Sequence, residues 1–342
     1  MRRVLNLMLS KGAGGLEAVA FQYARVLAGA GCDSAMVVNS QSPYEAADGV
    51  SVFRTPGASL ANPFNHLAVI RSIRRFRPDV VFCHGSRGAQ FCTWLLRLLA
   101  PRGTCFVGVC HGSNGWRFRR FGRVIAVSEG VRRELVETWG LAETAVTVCP
   151  NAIALPQAED CSVRPHEVPT IGFLGRLDRC KGVDLLLEAL ASLKAKGLRF
   201  RLVVGGTGPE EAELKARSER EGQAEDIRWL GWVSDKQSFF SQVDAVVLPS
   251  REEGLPVALL EAMSFARAVV VSDCPGMKGV VEGASCGLVV PRGDAVALAG
   301  ALERLLGNDA ERERFASAGR AAIAERHSEG RLRDDLLDNI VN

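Results

Sequence analysis

The sequence predicts an α/β protein built as two doubly wound domains facing a central cleft. Two observations carry that prediction. Short β-rich runs alternate with amphipathic helical stretches along most of the 342 residues, the order that builds parallel sheets covered on both faces. The alternation halts once, over "NAIALPQAEDCSVRPHEVP" (151–169), which has no periodicity and holds three prolines, and then restarts. A chain of this length can support two domains of ordinary size. We place them at 1–160 and 161–327, with a last helix in 328–342 returning to the first domain.

In the first half, strands are expected near 3–9, 34–39, 50–54, 79–83, 104–110, 123–127 and 145–149, with helices near 15–29, 64–76, 88–100 and 129–139. In the second half, strands fall near 170–174, 200–205, 227–230, 244–248, 268–272 and 287–290. Helices there fall near 182–196, 210–222, 235–241, 256–265, 294–306 and 309–326, and the last near 328–340. The apolar runs, such as "AVVL", are too short to span a bilayer. The opening "MRRVLNLMLSKGAGG" lacks a small-residue cleavage site and runs directly into a helix, so it reads as a first buried strand rather than a signal peptide.

Ten cysteines are scattered without a C-x-x-C pair, and Cys83, Cys105, Cys110 and Cys149 lie in apolar strands. That pattern fits reduced thiols in a cytoplasmic protein and argues against a disulfide framework or a zinc site. Charge is uneven. Residues 1–160 hold 18 Lys and Arg against 11 Asp and Glu, and residues 161–342 hold 24 against 28. The first half therefore points to something anionic.

Parallel α/β sheets bind ligands beyond the carboxyl ends of their strands. In the second half five strands end in unusual residues. "TIGFLG" is followed by Arg176 and Lys181-Gly182, and "RLVVGG" by Thr207-Gly208-Pro209. "IRWL" leads to Gly231-Trp232-Val233, "DAVVLPS" to Glu252-Glu253-Gly254, and "AVVVSD" to Cys274-Pro275-Gly276. Singly, each is an ordinary turn glycine or a surface charge. Together on one edge, beside helix N-termini that favour anions, they describe a site. Arg176 and Lys181 flank a strand-to-helix turn and can neutralise a diphosphate from two sides. Pro256 suits a first helical position, and Glu261 follows about 7 Å along the helix axis. Glu253 and Glu261 can then accept hydrogen bonds from sugar hydroxyls.

With those residues in place, the chain resembles the retaining nucleotide-sugar glycosyltransferases of family 4, which have the GT-B fold. The match runs through "GFLGRLDRCKGVDLLLEAL", "LVVGGTGPEEAEL", "IRWLGWVSD", "LPSREEGLPVALLEAMSFARAVVVSD" and "GLVVPRGD". The first half adds "GAGGLEAVAFQYARVLAGAG", "PDVVFCHG", "VIAVSEGVRREL" and "VTVCPNAI". The resemblance implies that Arg176 and Lys181 bind the donor diphosphate and Glu261 the ribose. Glu253 would bind the transferred sugar and support the reaction. Gly254, Leu255 and Pro256 would bring backbone to sugar and phosphate, and Val233 would present main-chain groups to the base. Gly14 and Gly15 would close over the phosphates, and His111 would contact the donor sugar. The family often has two histidines in the "PDVVFCHG" strand; here Phe82 replaces one, so His84 is given no catalytic role.

The implied reaction moves a hexose-type sugar from a UDP- or GDP-sugar with retention of configuration. A covalent intermediate and a front-face route both stay open. No D-x-D element sits at a strand end to hold Mg²⁺, so no metal and no cofactor beyond the nucleotide-sugar co-substrate is expected.

The acceptor is read from "GWRFRRFGR" (115–123), where arginines, among them Arg117, Arg119 and Arg120, interleave with Trp116, Phe118 and Phe121. Alternating cations and aromatics suit an anionic membrane surface or a phosphorylated lipid. The expectation is a cell-envelope glycan acceptor, such as a lipopolysaccharide core or a lipid-linked saccharide. The enzyme would be cytoplasmic, on the inner face of the cell membrane. A soluble sugar or sugar-phosphate acceptor is the alternative. No nucleic-acid groove-reading module is present. A nicotinamide-dependent dehydrogenase is disfavoured, because neither glycine turn is followed by a ribose-binding acid at the next strand end. A non-catalytic binder would be expected to lack one of residues 176, 181, 253 and 261, and all four charges are there.

Overall fold

The computed structural model describes residues 1–10, 14–43, 45, 47–56, 63–91, 100–112, 115–161 and 166–341. Two compact units emerge, Met1–Ala152 with Glu329–Asn342, and Ile153–Ser328.

The first unit carries strands β1 (Arg3–Met8), β2 (Asp33–Asn39), β3 (Val50–Thr55), β4 (Val80–His84), β5 (Cys105–Cys110), β6 (Arg123–Ala126) and β7 (Val146–Val148). They form one parallel sheet in the order β3-β2-β1-β4-β5-β6-β7. The order reverses direction at β1, with β4 on its other side, which is the doubly wound arrangement. Helix α1 (Gly15–Gly29) follows β1, and its buried Val19, Ala20, Tyr23, Ala24 and Leu27 recur at the three- and four-residue spacing of one helical face. Helices α2 (Pro63–Phe76) and α3 (Gly85–Phe91) flank β4 in sequence.

The second unit carries β8 (Thr170–Leu174), β9 (Arg201–Gly205), β10 (Ile227–Gly231), β11 (Ala245–Leu248), β12 (Ala268–Ser272) and β13 (Gly287–Val290). The order is β10-β9-β8-β11-β12-β13, again all parallel. β8, β11 and β12 are buried throughout, as strands covered on both faces must be.

The predicted strands are all present, within a residue or two of the expected ends. The helical readings differ chiefly in two places. Pro275–Ala284 is a helix that periodicity did not predict. Its "PGMKGVVEGA" holds three glycines, each weakening an isolated helix by about 1 kcal/mol. Pro275 at the first turn and the burial of Met277 and Val281 hold it instead. The helix expected at 129–139 is α-helical only over Glu129–Arg133 and continues as a π-turn over Glu134–Thr138. Of the helix expected at 88–100, residues 92–99 lie outside the described residues.

The presumed linker is bound down. Arg320 donates to the carbonyl of Pro156 at 2.8 Å, and the fully buried Arg267 donates to the carbonyl of Cys161 at 3.0 Å. Burial pulls the Arg267 pKa down to about 10, so the guanidinium stays charged at neutral pH and the surrounding carbonyls must satisfy it. The terminal helix Glu329–Leu336 is tied to the first unit. Glu329 accepts from Gln22 on α1 at 3.0 Å and pairs with Arg25.

Candidate active site

The charged residues of the second unit gather where its strands end. After β8 the chain forms a short turn, Arg179–Lys181, before the helix Val183–Ala195. Gly182 joins them with φ +69°, and a Cβ there would fall 2.1 Å from the Pro249 carbonyl oxygen. Only glycine therefore lets the β8 loop lie on the β11 loop. At Gly206, φ is +133° and a Cβ would lie 1.8 Å from the Gly175 carbonyl oxygen. This glycine of the GTGP turn thus serves contact between the β8 and β9 loops.

That packing brings Lys181 to Glu253. The ammonium donates to Glu253 Oε1, and the two side chains are only 24% and 14% exposed. Burial lowers the Lys181 pKa, with Asp178 opposing the shift and Arg176 adding to it. Arg251 fixes the same turn. It donates to both oxygens of Asp184 at 2.7 Å, to the Arg179 carbonyl at 2.9 Å, and its main-chain N–H to the Cys180 carbonyl at 2.7 Å. The forked guanidinium suits this bidentate task, which a lysine could not reproduce.

Glu261 is the fifth residue of the helix Val257–Ser264. Burial raises its pKa, and Lys236, 3.5 Å away, opposes the rise. Pro256 is the residue capping this helix, with ψ 136°, rather than its first helical residue. The extended backbone there corrects the predicted N1 placement: the turn after Gly254 has not yet entered helical geometry. Leu255 and Val233 are buried. Arg176 is different. Its side chain is 72% exposed and pairs with Asp178.

In the first unit Gly14 caps α1, and Glu17 reaches back to accept from the Gly14 N–H at 3.0 Å and from Ser10 Oγ. The carboxylate satisfies a helix-end donor and complements the dipole. Gly14 and Gly15 are exposed at that terminus. His111 follows β5 directly, beside His84 at the end of β4. His84 Nδ1 lies 3.4 Å from His111 Nε2, and His84 Nε2 lies 2.9 Å from Asn6 Oδ1 on β1. Burial holds both imidazoles neutral: His84 falls well below its ordinary pKa, and His111 falls to about 4.

The basic-aromatic run does not form a continuous surface. Phe118 and Phe121 are core residues against Gly108 of β5. Arg119 donates to the Trp139 carbonyl at 2.7 Å, and Arg123 to the Asn339 carbonyl at 3.1 Å. Trp116, Arg119, Arg120 and Arg123 remain exposed, and the half-buried Arg117 holds its guanidinium 4.8 Å from the Trp116 ring centroid. The alternation read as an interface is thus partly the inward-outward pattern of a short 3₁₀ turn over Gly115–Phe118.

Arg251, Lys236, Asn6 and His84 were not singled out from sequence as site residues. Arg251 directly precedes Glu252-Glu253, and Asn6 is a lone amide in the apolar run "VLNLML"; both are visible signals. The reach of Lys236 to Glu261 depends on the fold.

Two family profiles match the chain: glycosyltransferase family 4 over residues 13–156 and glycosyl transferases group 1 over residues 158–322. The chain belongs to glycosyltransferase family 4. Among curated relatives, this family 4 chain is 35% identical over 212 residues to the phosphatidyl-myo-inositol mannosyltransferase of Mycobacterium leprae, covering 61% of this chain and 56% of that one. The chain spans about half the length of the curated relatives it matches. Among solved structures, sucrose-phosphate synthase from Thermosynechococcus elongatus superposes with TM-score 0.83 at 19% identity, over 97% of this chain and 96% of that one. Anabaena Alr3699/HepE in complex with UDP-glucose superposes with TM-score 0.82 at 18% identity, over 99% of both chains. The fold is GT-B. Among the described residues no helix is long and apolar enough to cross a membrane.

Proposed function

We propose that this family 4 chain transfers a hexose-type sugar, with retention, from a nucleotide diphosphate sugar to a cell-envelope glycan. One observation carries the reading: two acids at the carboxyl edge of the second sheet, Glu253 and Glu261, are each paired with a lysine from another element, Lys181 and Lys236. A donor diphosphate arriving at that edge recruits Lys181 with Arg176. The exchange releases a Glu253 oxygen to accept a sugar hydroxyl, while Glu261 turns from Lys236 to the ribose. Lysine, arginine and helix N-termini then neutralise the leaving diphosphate without a metal. No covalent nucleophile is assigned.

UDP is favoured over GDP because the HepE structure similar in fold holds UDP-glucose. A glycolipid acceptor is favoured because the mycobacterial relative is a phosphatidyl-myo-inositol mannosyltransferase. On this reading the chain works at the cytoplasmic face of the membrane, with Trp116, Arg117 and Arg120 meeting an anionic acceptor or surface. A soluble sugar or sugar-phosphate acceptor is the second reading, favoured by the burial of Phe118 and Phe121 away from the supposed membrane face.

A thermal-shift panel of UDP- and GDP-sugars, followed by nucleotide release with glycolipid and with soluble acceptors, tests both readings. A UDP-sugar should raise the melting temperature, and release should follow the glycolipid. Release only with soluble sugars selects the second reading, and no shift with any sugar nucleotide removes both.

A further inference from the structure

In the apolar centre of the first sheet, Asn6 is fully buried between Leu5 and Leu7, and its Nδ2 has no hydrogen-bond partner among the described residues. An orphaned buried amide costs stability, so an aliphatic residue would serve β1 better. What the amide does make is one contact, Oδ1 to His84 Nε2 at 2.9 Å. His84 in turn meets His111 Nε2 at 3.4 Å. Three adjacent strands, β1, β4 and β5, thus carry a chain of single hydrogen bonds toward His111.

With the Asn6 amide turned so that Oδ1 faces His84, donor and acceptor roles along that chain follow from valence. Asn6 Oδ1 can only accept, so His84 Nε2 carries the proton and donates. A neutral His84 then has a lone pair at Nδ1, and His111 Nε2 must donate to it. A neutral His111 is left with its lone pair on Nδ1. The other groups around the pair do not compete. The buried Tyr23 ring of α1 stands edge-on to His84 at 5.1 Å between centroids. Asp335 of the terminal helix and Cys149 act electrostatically on Tyr23, and Glu134 on Cys110 beside His111. Among the described residues neither imidazole is paired to a carboxylate, which would draw a second proton onto the ring.

We propose that Asn6 and His84 are positioning residues that hold His111 as its Nε2–H tautomer, presenting Nδ1 as a hydrogen-bond acceptor for a sugar hydroxyl. The tautomer follows from the contacts, and the sugar hydroxyl rests on the proposed transferase reading. His111 on this account orients a sugar by accepting and does not protonate it. The arrangement repeats the logic by which an outer partner sets a ligand histidine's tautomer.

The test uses the full chain with ¹⁵N-labelled histidine at pH 7, with long-range ¹H–¹⁵N correlations assigned through His84→Phe and His111→Gln. His111 should show a protonated Nε2 and an unprotonated Nδ1. Asn6→Leu and His84→Phe should each give a mixture of both His111 tautomers, and Asn6→Leu should melt no lower than wild type. In the transfer assay each single variant should lose about twofold in kcat/KM for the donor as the competent tautomer falls to about half. The double variant should lose no more, because both act through one proton. A protonated Nδ1 in wild type, or an unchanged His111 tautomer in Asn6→Leu, overturns the proposal. If no sugar nucleotide is turned over, the spectra still decide the tautomer, and the transferase reading falls separately.

Discussion

At the carboxyl edge of the second sheet the half-buried acids are paired with lysines, whereas the polar chain that leads to His111 in the first unit is neutral. Lys181 and Lys236 hold Glu253 and Glu261; Asn6, His84 and His111 form an uncharged chain. Burying an ion is tolerable only with a counter-ion, so the charged edge comes with its partners in place. A ligand binds there by exchange, its phosphates taking the lysine and its hydroxyls the carboxylate. The neutral edge pays no such desolvation on ligand entry and can read hydroxyls by geometry alone.

The comparison breaks most directly at Glu253. Glu253→Gln keeps the shape and one carbonyl acceptor while removing the charge that Lys181 now meets. If the charged edge works by ion exchange, transfer falls by at least about a hundredfold, the scale of a lost electrostatic contact at a reacting centre. The fold should survive, because Lys181 is 24% exposed and can draw on water. Initial rates of nucleotide release, with circular dichroism as the folding control, check this. Activity within a few fold of wild type would show that the Glu253 charge is not used.

Neutrality of the first unit is tested by acid. His111 has a folded pKa of about 4 against about 6.5 unfolded. Its folded value is depressed, so the unfolded chain takes up the proton first as pH falls. The stability it contributes is complete above about pH 6.5 and is lost as pH drops toward 4. At pH 4.5 the loss from this group is roughly 2–3 kcal/mol. Denaturant midpoints of wild type and His111→Gln at pH 7 and 4.5 separate this from carboxylate titration, which both proteins share. The wild type should lose more by roughly that amount. Equal losses would mean that the imidazole is not held neutral.

The parts of the molecule differ in how far their sequence revealed them. Both sheets were legible because parallel strands buried on both faces are continuous apolar runs punctuated by glycine. The charged edge was legible for a related reason. Arg176, Lys181 and Glu253 sit within a few residues of strand ends, so chain position alone delivers them to one side of a sheet. The neutral chain was not legible. Asn6 lies in mid-strand and His84 at a strand end, and what unites them is register across β1, β4 and β5, which no local pattern records. Periodicity likewise missed the helix at Pro275–Ala284, held by tertiary burial against its glycine content. It misled at 115–123, where Phe118 and Phe121 face inward and two arginines hold carbonyls of the chain's own backbone.

Arg176 and Lys181 give the finest test, because they were read as equals. Lys181 is largely buried and paired to Glu253, whereas Arg176 is 72% exposed beside Asp178. A charge-assisted contact to diphosphate in a partly desolvated site is worth about 1.5–3 kcal/mol, so Lys181→Ala should weaken donor binding roughly ten- to a hundredfold. An exposed cation contributes about 1 kcal/mol or less, so Arg176→Ala should cost less than about fivefold. That small effect should also fade between 50 mM and 500 mM salt, as surface charges are screened. Donor titrations followed by calorimetry at both salt concentrations distinguish the two. If Arg176→Ala matches Lys181→Ala and ignores salt, the donor buries Arg176 on binding. The ion-exchange description would then extend to a residue that the unliganded edge leaves in water.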